Sequence, residues 1–285
     1  MGVISINSKT TLSFWDILKT SIIEKKENEL TAKMVIEHHH RRDIAIVHGG
    51  ATCALIDFAV KNLLNGQSKG ENLNITFNKI SFLKPGKGDY LIAKATIQFN
   101  DSKRKSITCS VYDSDNACIA IGSAVAENVL AHSDKKHNNP FFEFTEQDLK
   151  QLLPEHVITN DRGFPFTNFL GVKRTLWKSR ISEMEVKIEP RLREPDGTNP
   201  HSLLTMLTDM ACGQAVKTIL PENAIAFTIE LSSNSLANFN NAEKLIARAR
   251  VINEGRVVNI QSIIFDEQGF CVGEGSSTYY VKYLK

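Results

Sequence analysis

The chain has 285 residues, enough for about two domains at roughly 150 residues each and for one or two proper cores. Lysine plus arginine (34) nearly balances aspartate plus glutamate (32), a net charge of +2, so nucleic-acid binding driven by counterion release is not expected. With 42% hydrophobic and 8% aromatic residues it is not a disordered chain, and the absence of a run of about 18 apolar residues argues against a membrane-spanning helix.

In chain order, residues 12–23 are amphipathic and predict a helix, and 30–38 a strand. Residues 50–64 predict a helix. Gly49 and Gly50 open it, then Ala51, Ala54, Leu55, Phe58, Ala59 and Leu63 recur at helical spacing. Strands are expected at 73–82, 90–99, 106–112 and 118–129, where Ile107, Cys109 and Val111 alternate with polar residues. Turns are expected at 85–88, 100–101 and 114–116. The polar stretch 131–139, rich in His, Lys and Asn and followed by Pro140, reads as a linker. Beyond it, weaker strand signals at 169–176 and 185–188 precede a helix at 203–219 and strands at 225–236, 244–252, 257–265 and 271–281.

The second series repeats the first. Ala54-Leu55-Ile56-Asp57-Phe58-Ala59 corresponds to Met206-Leu207-Thr208-Asp209-Met210-Ala211, 152 residues later. The segment from Leu91 to Ile97 matches Leu245 to Val251 at 154. Val111-Tyr112-Asp113, Cys118 and Gly122-Ser123 match Ile264-Phe265-Asp266, Cys271 and Gly275-Ser276 at 153. Three matches in order at a nearly constant offset predict two copies of one domain, at 1–130 and 141–285, joined by 131–140. One long helix followed by four strands without βαβ alternation predicts an α+β fold. A helix apolar on most sides fits burial within a sheet that twists around it.

The five cysteines (Cys53, Cys109, Cys118, Cys212, Cys271) are scattered, with no CxxC pair. That predicts reduced, buried thiols in a cytoplasmic protein rather than a disulfide framework or a metal centre. Residues 1–13 lack a basic stretch followed by an apolar core, so no secretory leader is expected. His38, His39 and His40 would point to alternate faces of a strand and make poor joint metal ligands. No GxGxxG, Walker loop, GxSxG or HExxH pattern occurs, so dinucleotide, nucleoside-triphosphate, serine-hydrolase and zincin chemistry lack support.

Val47-His48-Gly49-Gly50-Ala51, Leu55-Ile56-Asp57, Phe82-Leu83-Lys84-Pro85, Gly88-Asp89 and Val111-Tyr112-Asp113 together resemble the hotdog-fold thioesterases of the PaaI type. The resemblance covers about 100 residues of the first copy, and the second copy more loosely. It implies two tandem hotdog domains, each a curled antiparallel sheet around a long central helix. It also implies an acyl-CoA thioesterase, with coenzyme A as part of the substrate and no separate cofactor or membrane partner, and with room for homo-oligomers of the tandem unit.

The resemblance places a catalytic acid at Asp57 and Asp209, each about two turns into its helix, acting on a carbonyl held by a backbone amide of the other domain. One composite site would pair Asp209 with the Gly49 N–H, where glycine lets the thioester approach and the helix head attracts an oxyanion. The other would pair Asp57 with the amide of His201, which stands where the first copy has Gly49; Ser202 follows as a second donor. The bulk of His201 makes the Gly49 site the better one. His48 and Gly50 at the helix entrance belong to substrate binding. Arg42 occupies the position where the family often has an Asn or Gln that holds water or the carbonyl, and could bind a carboxylate or a phosphate. Lys84, Lys87, Lys103, Arg104 and Lys105 are expected at strand ends, where phosphates of coenzyme A could meet them. Non-catalytic acyl-CoA binding is the alternative; a hotdog dehydratase is weaker, because its His–acid pairing is not evident.

Overall fold

The structure is a computed structural model describing residues 12–42, 46–65, 73–101, 103–128, 143–159 and 163–284; the expected linker at 131–140 lies outside them. The fold is α+β. Its frame is one antiparallel sheet of twelve strands in the order β1-β2-β4-β5-β6-β3-β9-β12-β11-β10-β8-β7. The first six are β1 (Thr20–Lys25), β2 (Glu29–Val35), β3 (Leu73–Phe82), β4 (Tyr90–Asn100), β5 (Arg104–Asp113) and β6 (Cys118–Asn128). The second six are β7 (Lys173–Lys178), β8 (Ile181–Lys187), β9 (Ala224–Ser235), β10 (Lys244–Val251), β11 (Val257–Asp266) and β12 (Cys271–Tyr283). The order of the second half mirrors that of the first. The halves join where β3 runs antiparallel to β9, with Phe77 opposite Asn234 and Ile80 opposite Leu231.

Two long helices, α2 (Gly49–Leu64) and α6 (Ser202–Lys217), pack on this sheet and on each other. Nearly every residue of both is buried, which is why neither shows a polar face. The sheet comes closest to them at two equivalent glycines. A methyl group on Gly122 would stand 3.1 Å from a methyl of Ile56, and one on Gly275 only 2.6 Å from the Ser232 carbonyl and 2.7 Å from Thr208. The repeated Asp of the last hairpin has a structural task. Asp113 Oδ1 accepts from the Asp115 and Ala117 amides, and Asp266 Oδ1 from those of Gln268 and Phe270. Each closes a turn through a left-handed residue, Asn116 or Gly269.

Three expected elements differ. Residues 12–23 form only a four-residue helix, α1 (Phe14–Ile17), and then β1. The chain turns at Lys19, whose φ is +56°, and the following run, with β-branched Thr20, Ile22 and Ile23, pairs with β2. His38–His40 is a single 3₁₀ turn rather than the end of a strand. His39 stacks on Phe169 at 3.9 Å, and His40 Nδ1 accepts from the Glu37 amide. The weak strand at 169–176 is split between a short helix, α5 (Pro165–Leu170), and β7, because Gly171 ends the helix with φ +73°. Two further short helices, α3 (Glu146–Lys150) and α4 (Glu155–Thr159), carried no clear sequence signal. No helix among the described residues is long and apolar enough to cross a membrane.

Gly275→Ala should destabilise the protein by about 1–3 kcal/mol, the usual cost of overpacking, because backbone blocks the added methyl. Gly122→Ala should lose less, since the Ile56 side chain can shift. Urea unfolding of both variants checks the order.

Candidate active site

In their first halves α2 and α6 run antiparallel, so the carboxylate two turns into each lies at the head of the other. Both heads have free amides to offer, since the first turn of a helix leaves its N–H groups unpaired. The two heads are finished differently, and the difference divides the roles of the two acids.

At the head of α2, His48 is the N-cap and its Nδ1 accepts from the Gly50 amide at 2.9 Å. No described residue accepts the Gly49 N–H. The Asp209 carboxylate lies directly against the bare Cα of Gly49, where an added methyl would be 3.1 Å from Oδ2. Asp209 Oδ1 accepts from Thr228 at 3.4 Å, and the Tyr279 hydroxyl reaches the Asp209 carbonyl at 3.4 Å. Burial raises the Asp209 carboxyl to about 6, against the lowering influence of Arg42, Thr228 and the Gly50 amide. His48 Nδ1 is 3.6 Å from Asp209 Oδ2, yet the two do not form an ion pair. Burial pushes His48 down to about 3, and its Nδ1 is already used as an acceptor, so the imidazole is neutral and acts as a cap, not a base.

Two cavities meet at this point. The first, about 310 Å³, is lined by Asp209, His48, Phe164, Met210, Lys217 and Leu220 among others. The second, about 330 Å³, is lined by Phe82, Leu83, Lys84, Pro85, Phe227 and Ile229 among others. Gly49, Arg42 and Thr228 line both. Arg42 extends over the Phe164 ring at 5.5 Å and donates to the Ala226 carbonyl at 3.4 Å. Of the basic residues expected at the mouth, Lys84 lines the second cavity. Lys87, Lys103 and Arg104 are exposed and line neither, and Lys105 is fully buried within β5 rather than at a solvated strand end.

At the head of α6 the acid itself is the cap. Asp57 Oδ2 accepts from the Ser202 amide at 2.9 Å. The expected composite site would have the His201 amide hold a substrate carbonyl opposite Asp57; the amide that donates to the carboxylate itself is that of the next residue, Ser202. The register of the helices brings the Ser202 N–H onto the facing carboxylate, whereas the equivalent Gly50 N–H is taken locally by His48, two residues before it. His201 Nδ1 stands 3.8 Å from Asp57 Oδ1, and both side chains are buried. Burial raises Asp57 to about 6 and lowers His201 to about 4. The space that is open around Asp209 is filled here. At the 152-residue offset Trp15 stands for Thr167, Lys61 for Gly213, and Glu194 for Arg42. Lys61 Nζ pairs with Glu194 Oε1 at 2.5 Å, the Trp15 indole N–H donates to Glu194 Oε2 at 3.3 Å, and the Trp15 ring packs edge-on against Phe58.

Asp209, Gly49, His48 and Arg42 are thus gathered at one cavity crossing, with Gly50 buried behind His48, while Asp57, His201 and Ser202 are gathered in a packed joint. Thr228 and Tyr279 were not singled out from sequence, because strand residues far along the chain meet Asp209 only through the sheet. The plug of Trp15, Lys61 and Glu194 had a usable signal, namely reading the other copy at the same offset.

No family model and no curated sequence matches the chain. Solved structures do. A conserved protein of unknown function with a hot dog fold from Alicyclobacillus acidocaldarius superposes with TM-score 0.67 at 13% identity, covering 95% of this chain and 98% of that one. The tesB protein of Mycobacterium avium subsp. paratuberculosis gives 0.67 at 11% identity, over 95% and 100%. An acyl-CoA thioesterase II, TesB2, from Mycobacterium marinum gives 0.63 at 13% identity, over 95% and 98%. At such identities the likeness establishes the hotdog fold.

The raised carboxyl of Asp57 sets a pH dependence. Its folded-state value of about 6 lies above the ordinary carboxylate value of about 3.9. Its contribution to stability is therefore fully present below about pH 4 and is lost as pH rises through 6. Between pH 4 and 7 the unfolding free energy should fall by about 1–3 kcal/mol more in the wild type than in Asp57→Asn. Urea titrations across that range check it.

Proposed function

We propose that this chain is a thioesterase that hydrolyses an acyl-CoA, or a related acyl thioester, to free acid and thiol. In this reading it consists of two tandem hotdog domains, 1–130 and 141–285, joined by 131–140, and works from the one composite site at Gly49 and Asp209. The observation that carries the reading is the Asp209 carboxylate against the bare head of α2, at the meeting of two cavities. A thioester is a carbonyl with two long substituents, and a crossing of two cavities suits such a molecule.

The Gly49 N–H, with the helix dipole behind it, donates a hydrogen bond to the carbonyl oxygen that strengthens as the oxygen becomes an oxyanion. Such a donor is worth about 3 kcal/mol in the transition state. Asp209 takes a proton from the attacking water. Its raised carboxyl makes it a stronger base than an exposed aspartate, yet one still ionised at neutral pH. The Thr228 hydroxyl holds one carboxylate oxygen and leaves the other toward Gly49. The C–S bond then breaks, and the leaving thiolate takes the proton from Asp209. Asp57 is spent on capping α6 and has no part in the reaction.

Thiol release from a panel of acyl-CoAs, from acetyl to long-chain and aromatic, tests this. Asp209→Asn should lose 10²-fold or more in kcat, while Asp57→Asn should keep turnover within about threefold. The kcat/KM profile should fall on the acid side with a midpoint near pH 6, following Asp209. Turnover lost mainly in Asp57→Asn would reverse the assignment. Tight acyl-CoA binding without turnover would leave a binding protein instead.

A further inference from the structure

This inference rests on the proposed thioester hydrolysis and deepens it by naming the residue that selects the acyl group. Gly213 lies within α6 one turn beyond Asp209, and Lys217 one turn beyond that, so the three share a helix face. All three line the first cavity. A glycine inside a helix costs stability relative to alanine, so its presence there needs a reason. Elsewhere the reason is steric. A methyl on Gly50 would stand 2.8 Å from the Phe166 ring, and one on Gly275 2.6 Å from the Ser232 carbonyl. At Gly213 the fold makes no such demand. Its φ is not in the left-handed region, and an added methyl would meet nothing closer than the Tyr279 hydroxyl, in ordinary contact at 3.6 Å. The same position in the other copy is Lys61, whose side chain reaches Glu194 through the corresponding space. The missing side chain at Gly213 therefore serves the cavity and not the packing.

The two cavities differ in depth. The first is walled by the buried Val157, Thr167, Met210 and Tyr279, the second largely by the exposed Leu83, Lys84, Ile229 and Tyr280. A hydrocarbon chain gains from the inward cavity, and a large polar carrier needs the outward one. We propose that Gly213 determines acyl specificity: the acyl chain runs from the carbonyl at Gly49 into the first cavity and along α6 across the gap that Gly213 leaves, while the carrier arm lies in the second cavity. Asp209 and Gly213 are one helical turn apart, a rise of about 6 Å. An acetyl group stops short of the gap, and an octanoyl chain crosses it.

The experiment compares the wild type with Gly213→Ala and Gly213→Leu by thiol release from acetyl-, butyryl-, octanoyl- and dodecanoyl-CoA, with urea unfolding of each protein. Gly213→Leu should lower the ratio of kcat/KM for octanoyl-CoA to that for acetyl-CoA by about 10²-fold, and Gly213→Ala by about tenfold or less, the scale on which a pocket discriminates by one or a few methylenes. Gly213→Ala should also unfold at a higher urea concentration than the wild type, because the helix exchanges glycine for alanine and loses no contact. An equal loss on every ester would overturn the proposal, since that is the signature of a blocked carrier arm. So would a Gly213→Ala that unfolds at lower urea concentration, which would make the glycine a demand of the fold. So would a wild type that turns over acetyl-CoA and nothing longer, which would leave the gap without an occupant.

A binding arm separates failure of this inference from failure of the proposed reaction. The octyl and ethyl thioethers of coenzyme A, which cannot be hydrolysed, are titrated calorimetrically. The wild type should bind the octyl thioether about tenfold or more tightly than the ethyl one, and Gly213→Leu should lose that preference. A preference that persists in Gly213→Leu overturns the role of Gly213 alone. Failure of the wild type both to bind either thioether and to hydrolyse any acyl-CoA overturns the thioesterase reading, and this inference with it.

Discussion

The packing of α2 against α6 is the constraint on which the rest depends. Both helices are buried almost all round, so each must satisfy its free first-turn amides from within the protein. The antiparallel crossing offers one solution per head, a carboxylate two turns into the facing helix. A buried carboxylate is costly unless it finds donors, and a buried helix head is costly unless it finds acceptors. At the head of α6 the two needs meet, which accounts for Asp57 without reference to catalysis.

What separates the two places is one change of cap. At α6 the Asp57 carboxylate accepts the Ser202 amide and is consumed by the fold. At α2 the neutral imidazole of His48 accepts the equivalent Gly50 amide. That frees the Asp209 carboxylate, which lies against the Gly49 Cα, and leaves the Gly49 N–H with no acceptor among the described residues. The surroundings follow the caps. Around Asp57, a tryptophan and a lysine–glutamate pair occupy the volume. Around Asp209, Thr167, Gly213 and Arg42 at the equivalent positions all line a cavity. The two mirrored halves of the sheet thus share an interface with one packed joint and one that opens on cavities.

The continuous sheet makes this asymmetry stable. Joining β3 to β9 holds the two helices in one register, and close approach at Gly122 and Gly275 seats each helix against its own half of the sheet. Thr228 on β9 and Tyr279 on β12 then reach Asp209 from strands of that sheet, so the open site inherits the rigidity of the frame.

Local pattern carried much of the fold. Alternation marked the strands after each helix, helical spacing marked α2 and α6, and a constant offset revealed the duplication, because buried strands and helices must repeat their apolar positions whatever surrounds them. The family resemblance, not periodicity, picked out Asp57, Asp209, Gly49, His48 and Arg42 as residues of interest. Local pattern erred where the outcome depended on distant partners. The 12–23 segment has helical spacing, but pairing with β2 turned its second part into a strand. Which amide meets Asp57, which acid is spent on a cap, and that Trp15 fills one pocket while Arg42 looks into two were decided only in three dimensions. Each turns on contacts between residues far apart in sequence, often about 150 positions, and on the volume left between two helices, which no local pattern encodes.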